Sequence, residues 1–87
     1  MMTLEKAKKA AEAYDASFPL CNTAIDIGDA WVFFYDTGNP PVPGINPVMV
    51  DKQTGKLSGI PTPVTEPDPD KLDAFEARLE AGTEVTI

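Results

Sequence analysis

The stretch NPVMVDKQTGKLSGIPTP, residues 46–63, decides the fold. Val48 and Val50 alternate with Met49, the two-residue period of a strand. In DKQTG (51–55), Asp51 can accept from the backbone N–H groups ahead of it and Gly55 can take the left-handed conformation, which makes a turn. Lys56 to Ile60 then returns as a second strand. Pro61 and Pro63 end it, because proline has no N–H for a ladder. A lone hairpin is marginal in water, so this one requires further strands and a helix to pack on.

Those elements lie on either side. Upstream, AWVFFY (30–35) is the most strand-like segment of the chain. Trp31, Phe33 and Tyr35 share one face, and Val32 and Phe34 the other. A strand apolar on both faces is either central in a covered sheet or has one face waiting for a partner. Asn22 to Ile27 reads as the strand before it, with Ile25 and Ile27 on one side and Gly28 supplying the positive φ of a tight connection. TGNPPVPGINP (37–47) holds four prolines and reads as a stiffened loop. Thr3 caps a helix reaching Asp15 or Ala16, whose buried stripe is Leu4, Ala7, Ala10, Ala11 and Tyr14. That stripe is mostly alanine, so the helix can lie close against a sheet. Phe18-Pro19 ends it.

Downstream, Asp68 caps a second helix, Pro69 takes its first position, and Leu72, Phe75 and Leu79 form its apolar stripe. Gly82 closes it. TEVTI (83–87) is a candidate short final strand, with Val85 and Ile87 pointing together. The predicted fold is α+β: an antiparallel sheet of four strands, or five with the C-terminal one, and an N-terminal and a C-terminal helix packed on it. Two helices in so short a chain cover one sheet face well, which leaves the second face open.

The totals narrow the function. Eighty-seven residues make a single domain, 1–87, which buries roughly 60–65% of its unfolded surface. No apolar run approaches the ~18 residues of a membrane span, and the lysine-bearing N-terminus has no apolar core of a secretory signal. The single Cys21 suits a reducing compartment, so a cytoplasmic location is expected. Histidine is absent, which removes the commonest general base and metal ligand. Triads, Cys/His pairs and the usual zinc sites are thereby excluded. The expectation is no enzyme, no metal and no cofactor.

The net charge of −7 is unevenly placed. Residues 66–84 hold seven acids against Lys71 and Arg78, whereas residues 1–20 balance three acids with three lysines. Such a field repels nucleic acid and anionic lipid and attracts basic partners.

WVFFY (31–35), a loop, NPVMVDKQTGKL (46–57) and GIPTPV (59–64), preceded by the AKKAAEAY helix (7–14), together resemble the YrhB-like immunity-protein family. The resemblance spans about residues 7 to 80. It implies a small α+β domain that binds and neutralises a cognate toxin passed between competing bacteria, and it leaves open a chaperone-like role. On that reading Asp70, Asp73, Glu76 and Glu80 steer a basic toxin, and Trp31 and Tyr35 are candidate anchors, since large aromatics dominate interface hot spots. A general protein-binding module and a structural homodimer are the alternatives to a monomer with one dedicated partner.

Overall fold

The computed structural model describes residues 2–38, 45–63 and 65–87. The order of elements is α1 (Leu4–Tyr14), β1 (Leu20–Asp26), β2 (Ala30–Tyr35), β3 (Val48–Asp51), β4 (Leu57–Gly59), α2 (Pro69–Ala81) and β5 (Thr83–Thr86). The strands form one antiparallel sheet in the order β4-β3-β2-β1-β5. The fold is therefore α+β with a five-stranded sheet, and TEVTI does supply the fifth strand. The proline-rich stretch predicted as a stiff loop has residues 39–44 outside the described residues.

The hairpin forms as its sequence dictates. Asp51 Oδ1 accepts from the backbone N–H of Gln53 at 2.8 Å and of Thr54 at 2.9 Å. Gly55 closes the turn with φ +74°. Asp26 repeats the device one hairpin earlier, accepting from Gly28 N–H at 2.9 Å where Gly28 has φ +105°.

β2 is the centre of the sheet. On one face Trp31 and Phe33 meet Ala24, Val48 and Val50, and α1 covers them with Ala7 and Ala11, both fully buried. Alanine at those two positions lets the helix backbone approach the sheet closely, over β2, β3 and β4. Fully burying Phe33 contributes about 1.5–3 kcal/mol relative to leaving it in water. Thr3 caps α1 by accepting from Lys6 N–H at 3.2 Å. The predicted stripe ends one turn early: Tyr14 is 52% exposed and lies outside the core.

The other face is also covered, contrary to the expectation of an open one. Val32 is 0% exposed although it points away from α1. Its cover is α2, whose buried Phe75 stands outside the α1 cluster. Ile25, paired with Val32 in register, lies beside Gly82 at the foot of α2. One helix per face is the result, because β4 and β5 are parallel strands at opposite edges. The chain joining them must cross a face, and α2 crosses the one bearing Val32.

Gly82 closes α2 as predicted, its N–H donating to the Leu79 carbonyl at 3.2 Å. Its φ of −69° and ψ of 166° are ordinary extended backbone, so no left-handed cap is made. What requires glycine is space: a Cβ there would sit 2.5 Å from Ile25 Cγ2 and 2.9 Å from the Asp26 carbonyl oxygen. The helix-to-strand passage thus runs directly against β1. Gly82→Ala is expected to lower stability by about 1–3 kcal/mol, as overpacking does, read from the urea midpoint. An unchanged midpoint would mean that the passage is not close-packed.

Candidate partner-binding surface

Two ion pairs tie the lower end of the sheet together. Lys52 reaches from the β3–β4 turn to Asp26 at the end of β1, Nζ to Oδ1 at 2.7 Å, with both side chains largely screened from water. The same ammonium lies 5.0 Å from the centroid of the Trp31 ring, a cation–π distance. Trp31 and Asp26 are cross-strand partners, so β1 and β2 together build the seat for Lys52. At the foot of α2, Arg78 Nη2 donates to Asp29 Oδ1 in the β1–β2 turn, and more weakly to the Ile27 carbonyl at 3.4 Å.

These contacts shift the carboxylates they involve. The hydrogen bond from Lys52 holds the Asp26 carboxyl below the usual range, with help from Gly28 N–H. The Thr54 and Gln53 N–H groups do the same for Asp51. Burial pushes the Tyr35 phenol up to about 12.

The predicted site residues divide into two groups. Trp31 is 8% exposed and packs beneath α1, so its ring is core and not a free anchor. Tyr35 is half-buried, and its hydroxyl donates to the Ala11 carbonyl at 2.8 Å, fastening β2 to α1. Asp70, Asp73, Glu76 and Glu80 are all exposed along α2. Asp68 Oδ1 caps that helix by accepting from Asp70 N–H at 3.0 Å, which leaves the Asp70 carboxylate in the first turn near the positive end of the helix.

Helical geometry sorts the charges on α2. At ~100° per residue, Leu72, Phe75 and Leu79 define the sheet side, with Asp73, Glu76 and Glu80 on one flank and Lys71 and Arg78 on the other. Arg78 lines a groove of about 170 Å³ with Ala30, Met49 and Ser58, so the basic flank faces β2, β3 and β4. The acidic flank is therefore turned toward β5. There Glu84 joins it: Glu84 pairs with Ile25 and so points to the α2 side of the sheet. Sequence reading counted Glu84 among the acids without placing it, since only the β5 register brings it to this flank. Among the described residues the ion pairs are Lys9–Glu5, Lys52–Asp26 and Arg78–Asp29, so Asp73, Glu76, Glu80 and Glu84 take part in none of them.

Among the described residues no three acidic or cysteine side chains come together as metal ligands. No helix there is long and apolar enough to cross a membrane. No family model, curated protein or solved structure matches the chain.

The Asp26–Lys52 pair gives a pH dependence with a definite sign. The Asp26 pKa is lowered in the folded state, so the pair stabilises the fold above the ordinary Asp value of about 4. That contribution is lost as pH falls through the folded value. Asp26→Asn is expected to cost about 1 kcal/mol at pH 7, and the gap from the parent should narrow on acidification below the ordinary Asp value of about 4. Urea titrations at both pH values measure it; a gap that stays constant with pH would mean the carboxylate charge is irrelevant.

Proposed function

We propose that this chain is a non-catalytic bacterial immunity protein, acting in the cytoplasm, that binds and neutralises a cognate basic toxin through the acidic flank of α2. The observation that carries the reading is the exposed, unneutralised row of Asp73, Glu76 and Glu80, with Asp70 one turn before it. Packing does not require these side chains, since the helix already buries Phe75 and half-buries Leu72 and Leu79.

The mechanism is occlusion. A toxin that acts on nucleic acid or another anionic target has a basic working surface, and a rigid helix lined with carboxylates competes for it. Like-charged exposed side chains on one flank raise the local potential, which accelerates encounter more than it strengthens the final complex. A tight complex would bury on the order of 1,600 Å² in total, about 800 Å² of it on this chain, out of its 5673 Å² of accessible surface. A contact of that size extends beyond one helix flank, and β5 is the adjoining element. Trp31 supplies no anchor here, and steering rests on the carboxylates.

The test is association with the toxin encoded beside the gene. Replacing Asp73, Glu76 and Glu80 with lysine is expected to slow association by about tenfold or more at low ionic strength. The difference should shrink as salt is raised. The same variant should no longer protect a host that produces the toxin. Stopped-flow association and a growth assay read the two outcomes. Full protection and an unchanged association rate in the triple variant would remove the acidic flank from the mechanism.

A further inference from the structure

The two outer edges of the sheet are built differently. β4 is three residues long, follows Lys56 and runs into Ile60-Pro61, the short, charged, proline-stopped edge that resists further pairing. β5 has four residues, Thr83–Thr86, with no proline, no lysine and a regular register against β1. Among the described residues nothing pairs with its outer side.

The hydrogen-bond phase of β5 fixes what that side offers. Ile87 N–H donates to the Asn22 carbonyl at 2.9 Å, and Val85 pairs with Ala24 two residues earlier. Bonding alternates along an antiparallel pair, so Thr83, Val85 and Ile87 turn their backbone groups to β1. Glu84 and Thr86 turn theirs outward.

The two faces beside this edge differ in chemistry. On the α1 side, Val85 and Ile87 pack against the core margin. Ile87 there lines a groove of about 370 Å³ with Leu4, Glu5 and Lys8. On the α2 side stand Glu84 and the acidic flank of Asp73, Glu76 and Glu80.

We propose that the β5 edge accepts an extended segment of the partner as a sixth strand, one in which apolar residues alternate with lysine or arginine. This rests on the reading of a basic partner and specifies how that partner docks. Side chains of an added strand alternate between the faces. Its apolar residues fall by Leu4 and Ile87, and its basic ones fall opposite Glu84 beneath the acidic flank. Backbone bonds to Glu84 and Thr86 hold it regardless of side chain. A second copy of this chain is a poor occupant. Pairing two β5 edges about a two-fold axis normal to the sheet sets both acidic flanks along one seam, and like charges across strands repel.

The probe is a capped eight-residue peptide alternating valine and lysine, titrated into the isotopically labelled full chain by NMR. A valine–glutamate peptide is the control. The valine–lysine peptide should shift the amide resonances of Glu84 to Ile87, and the control should not. Thr86→Pro deletes an outward N–H while sparing every bond to β1, and should weaken binding about tenfold. The valine–lysine peptide N-methylated at alternate residues should lose binding to the same degree with the protein itself unaltered. Equal binding of both peptides, indifference to N-methylation, or shifts confined to other strands would overturn the added strand. A basic toxin that still binds Thr86→Pro but not the lysine variant of the α2 flank would also overturn it, while leaving the basic-partner reading intact.

Discussion

β2 has no face to spare, and the architecture depends on that constraint. Trp31 and Phe33 on one side and Val32 on the other are all buried, so both sides of the strand must be kept from water. Among the described residues two helices are there to do it, and each takes one face. α1 achieves its cover with alanines, trading side-chain volume for a close approach of backbone to sheet. α2 achieves it with Phe75 at the centre of its stripe. Once α2 is committed to the Val32 side, its polar flanks are committed as well. The sheet core thus decides where the carboxylates of α2 point.

Small residues and short polar contacts hold this arrangement at its margins. Gly82 lets the chain leave α2 and enter β5 against Ile25 without a detour. Arg78 ties the last turn of α2 to the β1–β2 turn, fixing the rotation of the helix about its own axis. A helix free to rotate by one flank would move its carboxylates away from β5. The Lys52–Asp26 pair over Trp31 does the corresponding work between the two hairpin turns. None of these contacts is large alone, but each sets an orientation that the apolar core, being non-directional, leaves undetermined.

Local chemistry was legible in the sequence, and relations between elements were less so. The turn at Asp51–Gly55, the caps at Thr3 and Asp68 and the two-sided apolarity of β2 depend on residues a few positions apart, and each was read correctly. The division of the helices between faces was not, because it follows from the parallel relation of β4 and β5 across three intervening strands. Gly82 was legible as the end of α2, but the steric reason for glycine there was not, since sequence carries no sign of a neighbour such as Ile25. Tyr14 fitted the helical period but is exposed and outside the core. Trp31 looked like an anchor because aromatics serve both cores and interfaces, and only burial separates the two. The acids of α2 were visible as composition; their gathering on one flank with Glu84 required the register of β5.

The charge on that flank has a second physical consequence, which bears on the edge beside it. A regular strand edge with outward N–H and C=O groups is an aggregation hazard, and proteins commonly blunt it with lysine, proline or a bulge. β5 has none of these, yet it sits next to Asp73, Glu76, Glu80 and Glu84. In a chain of net charge −7, those carboxylates oppose approach by another copy and by other acidic proteins. The repulsion is conditional where a proline would be absolute. It vanishes for a strand that brings positive charge on the matching face. An edge guarded by charge alone disfavours a like-charged strand more than a basic one, so one set of side chains can act on both self-association and selectivity.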